Sequence, residues 1–195
     1  MKGFTYLAVA VLVAIGMGVG VSASSWNQRP QFNNKVVQFE SQYVRFDYPS
    51  GWSAKTYQES SSFSAAIVFL SNRELHVPCV KHNTAGGYSV TCTPPLSHLG
   101  YDGVYVQWSV NGFPGWTLAN QRGRPISVSG RPARESVVSS HPDCMGDSQQ
   151  DIDVVIARTV AYNFYRMFAC LSGPDLSREH SEVQAMLSST KILQG

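Results

Sequence analysis

The stretch YVRFDYPSGW, residues 43–52, decides how the fold is read. Val44, Phe46 and Tyr48 alternate with Tyr43, Arg45 and Asp47, the period of two by which a strand buries one face. Pro49 lacks a backbone donor and Gly51 relaxes the backbone, so 49–51 predicts a turn that ends the strand. Trp52 then falls where the returning chain can lay its indole over the edge of the strand's inner face. Replacing that indole with alanine is expected to cost about 3 to 5 kcal/mol.

Outward from this strand, the same alternation continues. AAIVFLS (65–71) predicts a strand, and in GVYVQWSV (103–110) Val104, Val106, Trp108 and Val110 share one face. RPISVSG and RPARESVVSS predict a hairpin turning at Ser129 and Gly130, with Ile126 and Val128 pointing inward. That turn would bring Arg124, Arg131 and Arg134 together. DIDVVIART and VAYNFYRMFACL are apolar on both alternating sets, the pattern of strands covered on both faces and lying centrally in a sheet. The one strong helical pattern runs from Asp175 to about Ser189. Leu176, Val183, Met186 and Leu187 form its apolar stripe, while Arg178, Glu179, Glu182 and Gln184 are read as lying off it. Asp175 or Ser177 can cap it, and a shorter helix is possible at 114–121. The expected fold is therefore α+β, an antiparallel sheet with a C-terminal helix packed on it.

Lys2, an apolar run at 7–15 and the small-residue sequence Val-Ser-Ala at 21–23 predict a signal peptide over 1–23, cleaved after Ala23. An uncleaved anchor competes, since residues 4–23 are long enough to span a bilayer. No stable membrane insertion is expected once the signal is removed. Residues 24–35 are polar and aperiodic and predict a flexible leader to one domain at 36–195. With 15 basic against 13 acidic residues, nothing argues for nucleic acid as a partner.

Four cysteines in an exported chain point to two disulfides. Cys79 and Cys92 lie symmetrically about 85–87 in CVKHNTAGGYSVTC, so a hairpin there sets them face to face across neighbouring strands. Cys144 and Cys170 remain as the second pair.

Motifs for catalysis are missing: there is no G-x-S-x-G, S-x-x-K or catalytic-cysteine signature. His141 and Asp143 near Cys144 fit a proline-broken loop beside a disulfide. The five histidines lack metal-ligand spacing, so no metal or other cofactor is expected. DSQQDID (147–153) has the flavour of a calcium loop but lacks its central glycine and closing glutamate, and is read as a solvated turn. Arg122, Arg124, Arg131 and Arg134 form the sharpest charge feature and the candidate anion or ligand contact. The competing reading is that they solvate a hairpin, and alanine at Arg124 and Arg131 is expected to leave folding intact. Tyr105, Trp108 and Trp116 are candidates for an aromatic groove.

FDYPSGW, SGRPARE, YNFYRMFACLSGPD and the closing VQAMLSSTKI together resemble the PsbP-like fold over roughly 38–192. The matching positions at the start are Phe46, Tyr48, Pro49, Gly51 and Trp52. The resemblance implies an α-β-α sandwich around an antiparallel sheet, and binding or assembly proteins without catalytic residues. The chain departs from that pattern by its two expected disulfides, so no partner is carried over. Two functions follow as expectations: a secreted or envelope-associated, non-catalytic binding or accessory module acting on an unknown protein or envelope partner, or a small secreted hydrolase with a site assembled from distant loops.

Overall fold

The computed structural model describes residues 35–56, 64–77, 79–92, 94–139, 143–158 and 163–194. The expected signal peptide at 1–23, nearly all of the expected leader at 24–35, and His141 lie outside the described residues. In chain order the elements are β1 (Val36–Glu40), β2 (Val44–Pro49), β3 (Ser53–Lys55), β4 (Ser64–Ser71), β5 (Cys79–Thr84), β6 (Gly87–Cys92), β7 (Gly103–Gly112), β8 (Arg124–Val128), β9 (Arg131–Val138), β10 (Gln150–Ala157), β11 (Asn163–Ser172), α1 (Leu176–Ser189) and β12 (Lys191–Ile192). Among the described residues no helix is long and apolar enough to cross a membrane.

Seven strands form the main sheet in the order β3-β4-β7-β11-β10-β9-β8, and every pairing is antiparallel. The doubly apolar tract supplies β10 and β11, and β11 is the middle strand. The β8–β9 turn places Ser129 at φ 53° and Gly130 at φ 76°, the paired left-handed residues of a tight hairpin whose twist matches its strands.

The segment 43–52 sends its strand β2 into a different sheet. β2 pairs with β1 on one side and β12 on the other, a three-stranded sheet separate from the seven. Alternation had fixed which side chains of β2 point inward, and they do: Val44 and Phe46 are buried. The Phe46 ring stacks on the Trp108 indole at 5.4 Å, so this small sheet lies directly on the main one. Trp52 packs against the same core, half-buried, after a turn closed by its N–H donating to the Pro49 carbonyl at 3.1 Å.

α1 shares that layer. Val183, Met186 and Leu187 join Val106, Trp108, Ile152, Val154, Ile156, Met167 and Leu171 in one core. Each fully covered side chain of this size contributes about 1.5–3 kcal/mol. The Ser189 hydroxyl accepts the Asp47 N–H at 2.9 Å and joins the helix end to β2. Asp175 caps the start, its Oδ1 accepting the Arg178 N–H at 3.3 Å.

The expected α+β, α-β-α sandwich is therefore corrected. Strands predominate, in antiparallel sheets of seven and three, with the C-terminal α1 as the one α-helix among the described residues. The segment expected to supply a shorter helix forms only a 3-10 turn at Leu118–Asn120, with none of its residues buried. Without an apolar stripe to bury, that segment gains nothing from continuing as a helix. On the face away from α1, loops take the place of a second helical layer: Leu75, Leu96 and Leu99 pack there on Phe69, Tyr105, Phe168 and Cys170.

The expected pairing of Cys144 with Cys170 is present. Cys144 and Cys170 are bonded with Cα atoms 5.7 Å apart, fixing the loop before β10 to the middle strand. Cys79 is disulfide-bonded and stands opposite Cys92 in the β5–β6 register.

Candidate functional site

Face alternation builds the site. On the side of the main sheet away from α1, three strands align their side chains in rows: Val138–Asp151–Cys170, Ser136–Asp153–Phe168 and Arg134–Val155–Arg166. The loops that cover Phe168 and Cys170 stop short of β9, which leaves a groove of about 350 Å³ over these rows. That volume lies within the range of small-ligand sites. Asp151, Asp153, Ser136 and Phe168 form part of its lining, and Asn120 to Arg122 rise along one side.

Asp153 is already spoken for. Arg166 grips it with two parallel contacts, Nε to Oδ1 at 2.8 Å and Nη2 to Oδ2 at 3.1 Å, and extends Nη2 to Asp143 Oδ2 at 3.1 Å. The guanidinium also lies 4.9 Å from the centre of the Phe168 ring. Burial works against the Arg166 charge, but the hydrogen bond and charge of Asp153 and the charge of Asp143 outweigh it and raise its pKa. This forked pairing holds the groove floor rigid.

Asp151 is different. Only 1% exposed, it receives the Ser148 hydroxyl on Oδ1, while its Oδ2 is buried without a hydrogen-bond partner in the protein. A buried carboxylate oxygen left unpaired costs several kcal/mol relative to one that is satisfied, so Asp151, a residue of the groove lining, carries an unsatisfied acceptor. Its oxygen lies within 4.8 Å of the Cys144 and Cys170 sulfurs. Those sulfurs are bonded to each other.

The arginine group does not assemble into one patch. Arg124 faces α1, where its Nε donates to Glu135 Oε2 at 2.6 Å and its Nη2 reaches the same oxygen. Glu135 is buried and also accepts from the Gln184 amide of α1. Arg134 projects from the opposite face, its Nη1 donating to the Gly123 carbonyl at 3.2 Å. Arg131 stands opposite Val128 at the turn, and Arg122 alone of the four lines the groove. The three aromatic candidates are likewise separated. Trp108 is buried under Phe46, Tyr105 is buried on the other face, and Trp116 stacks on Phe164 at 4.3 Å.

Asp151, buried in β10, corrects the reading of DSQQDID as a solvated turn, whereas Asp147 does lie exposed in a turn. Asp147 accepts the Leu99 and Gly100 N–H groups at 3.1 and 2.8 Å. Burial pushes its carboxyl up, but these backbone donors and His98 prevail and hold it below the usual range. Asp151 and Asp153 were missed, although two acids of equal parity opening DIDVVIA mark a polar face on an otherwise apolar strand. Arg166 carried no such signal. Comparison with protein-family models and with curated protein sequences returned no match.

Proposed function

We propose that the chain is a secreted or envelope-associated binding module, non-catalytic as the PsbP-like resemblance implies, and that it takes a segment of a partner polypeptide in the groove over β9, β10 and β11. The observation that carries this reading is the orphaned Oδ2 of Asp151 in the groove wall. An amide or ammonium donor from the partner satisfies it. Arg122, at the groove's side, suits a carbonyl or carboxylate of the same segment, and Phe168, Val155 and Val138 give its apolar part a surface. Export is supported by the disulfide-bonded cysteines, which persist in oxidising compartments.

A displayed library of short peptides panned against the purified protein tests the groove. Enriched peptides are expected to lose about tenfold or more in affinity on Asp151→Asn and less on Arg122→Ala, because a buried hydrogen bond to a charged group is worth about 1.5–3 kcal/mol. Asp151→Asn keeps the shape of the side chain, and unchanged circular dichroism confirms that the fold survives. Peptides that bind the variant as tightly as the parent would refute the assignment.

A further inference from the structure

Glu179 is an anomaly in the helix. Spacing sets it on the same stripe as Val183 and Met186, and it is 0% exposed. Neither of its carboxylate oxygens has a hydrogen-bond partner in the protein. The nearest cation, Arg178, keeps Nη2 3.9 Å from Oε1 and turns Nε toward Asp175 at 3.4 Å. That is too long to satisfy the carboxylate.

A second unpartnered acid lies at the strand end that leads into α1. Ser172 at the end of β11 pairs with Gly103 at the start of β7, so Asp102 and Gly173 are the next residues on either side. Asp102 Oδ1 presses so closely on Gly173 that a Cβ there would lie 2.4 Å from it. That oxygen is also buried without a partner. Asp102 takes φ 54°, a left-handed conformation that aspartate tolerates better than most residues. Burial first, and then the Asp102 charge, push the Glu179 carboxyl up to about 7; Glu182 and Asp175 add to the rise and Arg178 opposes it. An open depression of about 560 Å³, lined in part by Gly100, Ser172 and Gly173, reaches the same junction from solvent.

Three buried carboxylate oxygens, two on α1 and one in the turn just before β7, thus lack any donor. Buried charges in proteins are paired or coordinate metals. We infer that Asp102 and Glu179 hold a hard divalent cation of the calcium type where β7, β11 and α1 meet. The donor set selects the ion: carboxylate oxygens without thiolate or imidazole favour calcium over zinc, and calcium accepts irregular coordination that includes carbonyls and water. Two carboxylates match its charge. This site is independent of the groove, and either can fail without the other.

Calcium alone is the probe, added to chelator-treated protein at about pH 8, where Glu179 is ionised. At about one hundredfold over its dissociation constant the ion is expected to raise Tm by about 5–10 °C. Glu179→Gln and Asp102→Asn should each abolish the rise, while Glu74→Gln, at an exposed acid, retains it. Glu179→Gln removes an uncompensated buried charge, and asparagine tolerates the backbone of Asp102, so both variants are expected to fold. An absent calcium response in the parent overturns the proposal, as does a Glu179→Gln protein that responds like the parent. Stabilisation by acid with no response to calcium identifies a shared proton instead and equally overturns it.

Discussion

Replacing Arg124 with alanine is expected to destabilise the domain by about 2 kcal/mol, whereas the same change at Arg131 costs less than about 0.5 kcal/mol. This reverses the sequence-based expectation for Arg124. Glu135 is the reason: its side chain is 0% exposed, and without Arg124 it keeps Gln184 as its remaining side-chain hydrogen-bond partner. Stripping one partner from a dry ion pair costs about 3–5 kcal/mol. Exposed pairs are worth about 0–1 kcal/mol. The Arg124 side chain is 67% exposed, so water partly replaces it and the value falls between those ranges. For a domain of this size that is a loss of about 4–8 °C in Tm. Urea unfolding followed by tryptophan fluorescence measures it, and a cycle with Glu135→Gln isolates the pair, with an expected coupling of about 1–2 kcal/mol. An Arg124→Ala protein as stable as Arg131→Ala, or a coupling near zero, would refute the hub role of Glu135.

In chelator-treated buffer, stability should fall by about 2 kcal/mol as pH rises from the ordinary carboxyl range to about 7, because the folded state holds the Glu179 proton more tightly than the unfolded chain does. Proximity to the helix end and to water reduces the full effect of the shift. Denaturation at several pH values checks this, and Glu179→Gln should flatten the slope. Converting Cys144 and Cys170 to serine opens a bridge with a sequence separation of 26 and is expected to cost about 3.5 kcal/mol by chain entropy, read from the denaturation midpoint. Trp108→Ala should cost about 3–5 kcal/mol and Trp52→Ala about 2 kcal/mol, since Trp108 is 0% exposed and Trp52 only half-buried. Equal midpoints for the two tryptophan variants would contradict the layering.

The hairpins were legible because their turns carry their own chemistry. Ser129-Gly130 and the glycines between Cys79 and Cys92 specify a reversal locally, and register follows from it. Partners at long range were not. Alternation in VRFDYP tells which face is buried, but nothing local says that β2 leaves the main sheet to pair with β1 and with a two-residue strand beyond the helix. β3 and β12 are too short for any period to register. Glu179 was placed off the helical stripe because the stripe was drawn from apolar residues; spacing alone puts it with Val183 and Met186. The same habit hid Asp151. Its neighbours in β10 announced a strand, but its burial depends on the Ser148 loop and the disulfide that closes over it, contacts that span 3 to 26 residues.

The arginine reading failed in a related way. A hairpin brings residues close in sequence into one ribbon, yet parity sends Arg124 and Arg134 to opposite faces of it. One serves a buried carboxylate and the other the Gly123 carbonyl, and of the four Arg122 is the one that lines the groove.

The proposed binding lies on the sheet face away from the helix and centres on Asp151. Amide chemical shifts recorded while a library-selected peptide is titrated in test it most directly. Shifts concentrated at Ser136, Asp151, Asp153 and Phe168, with Val183 and Met186 unmoved, are the expected result. A footprint on α1 and β2 with the groove silent would contradict it.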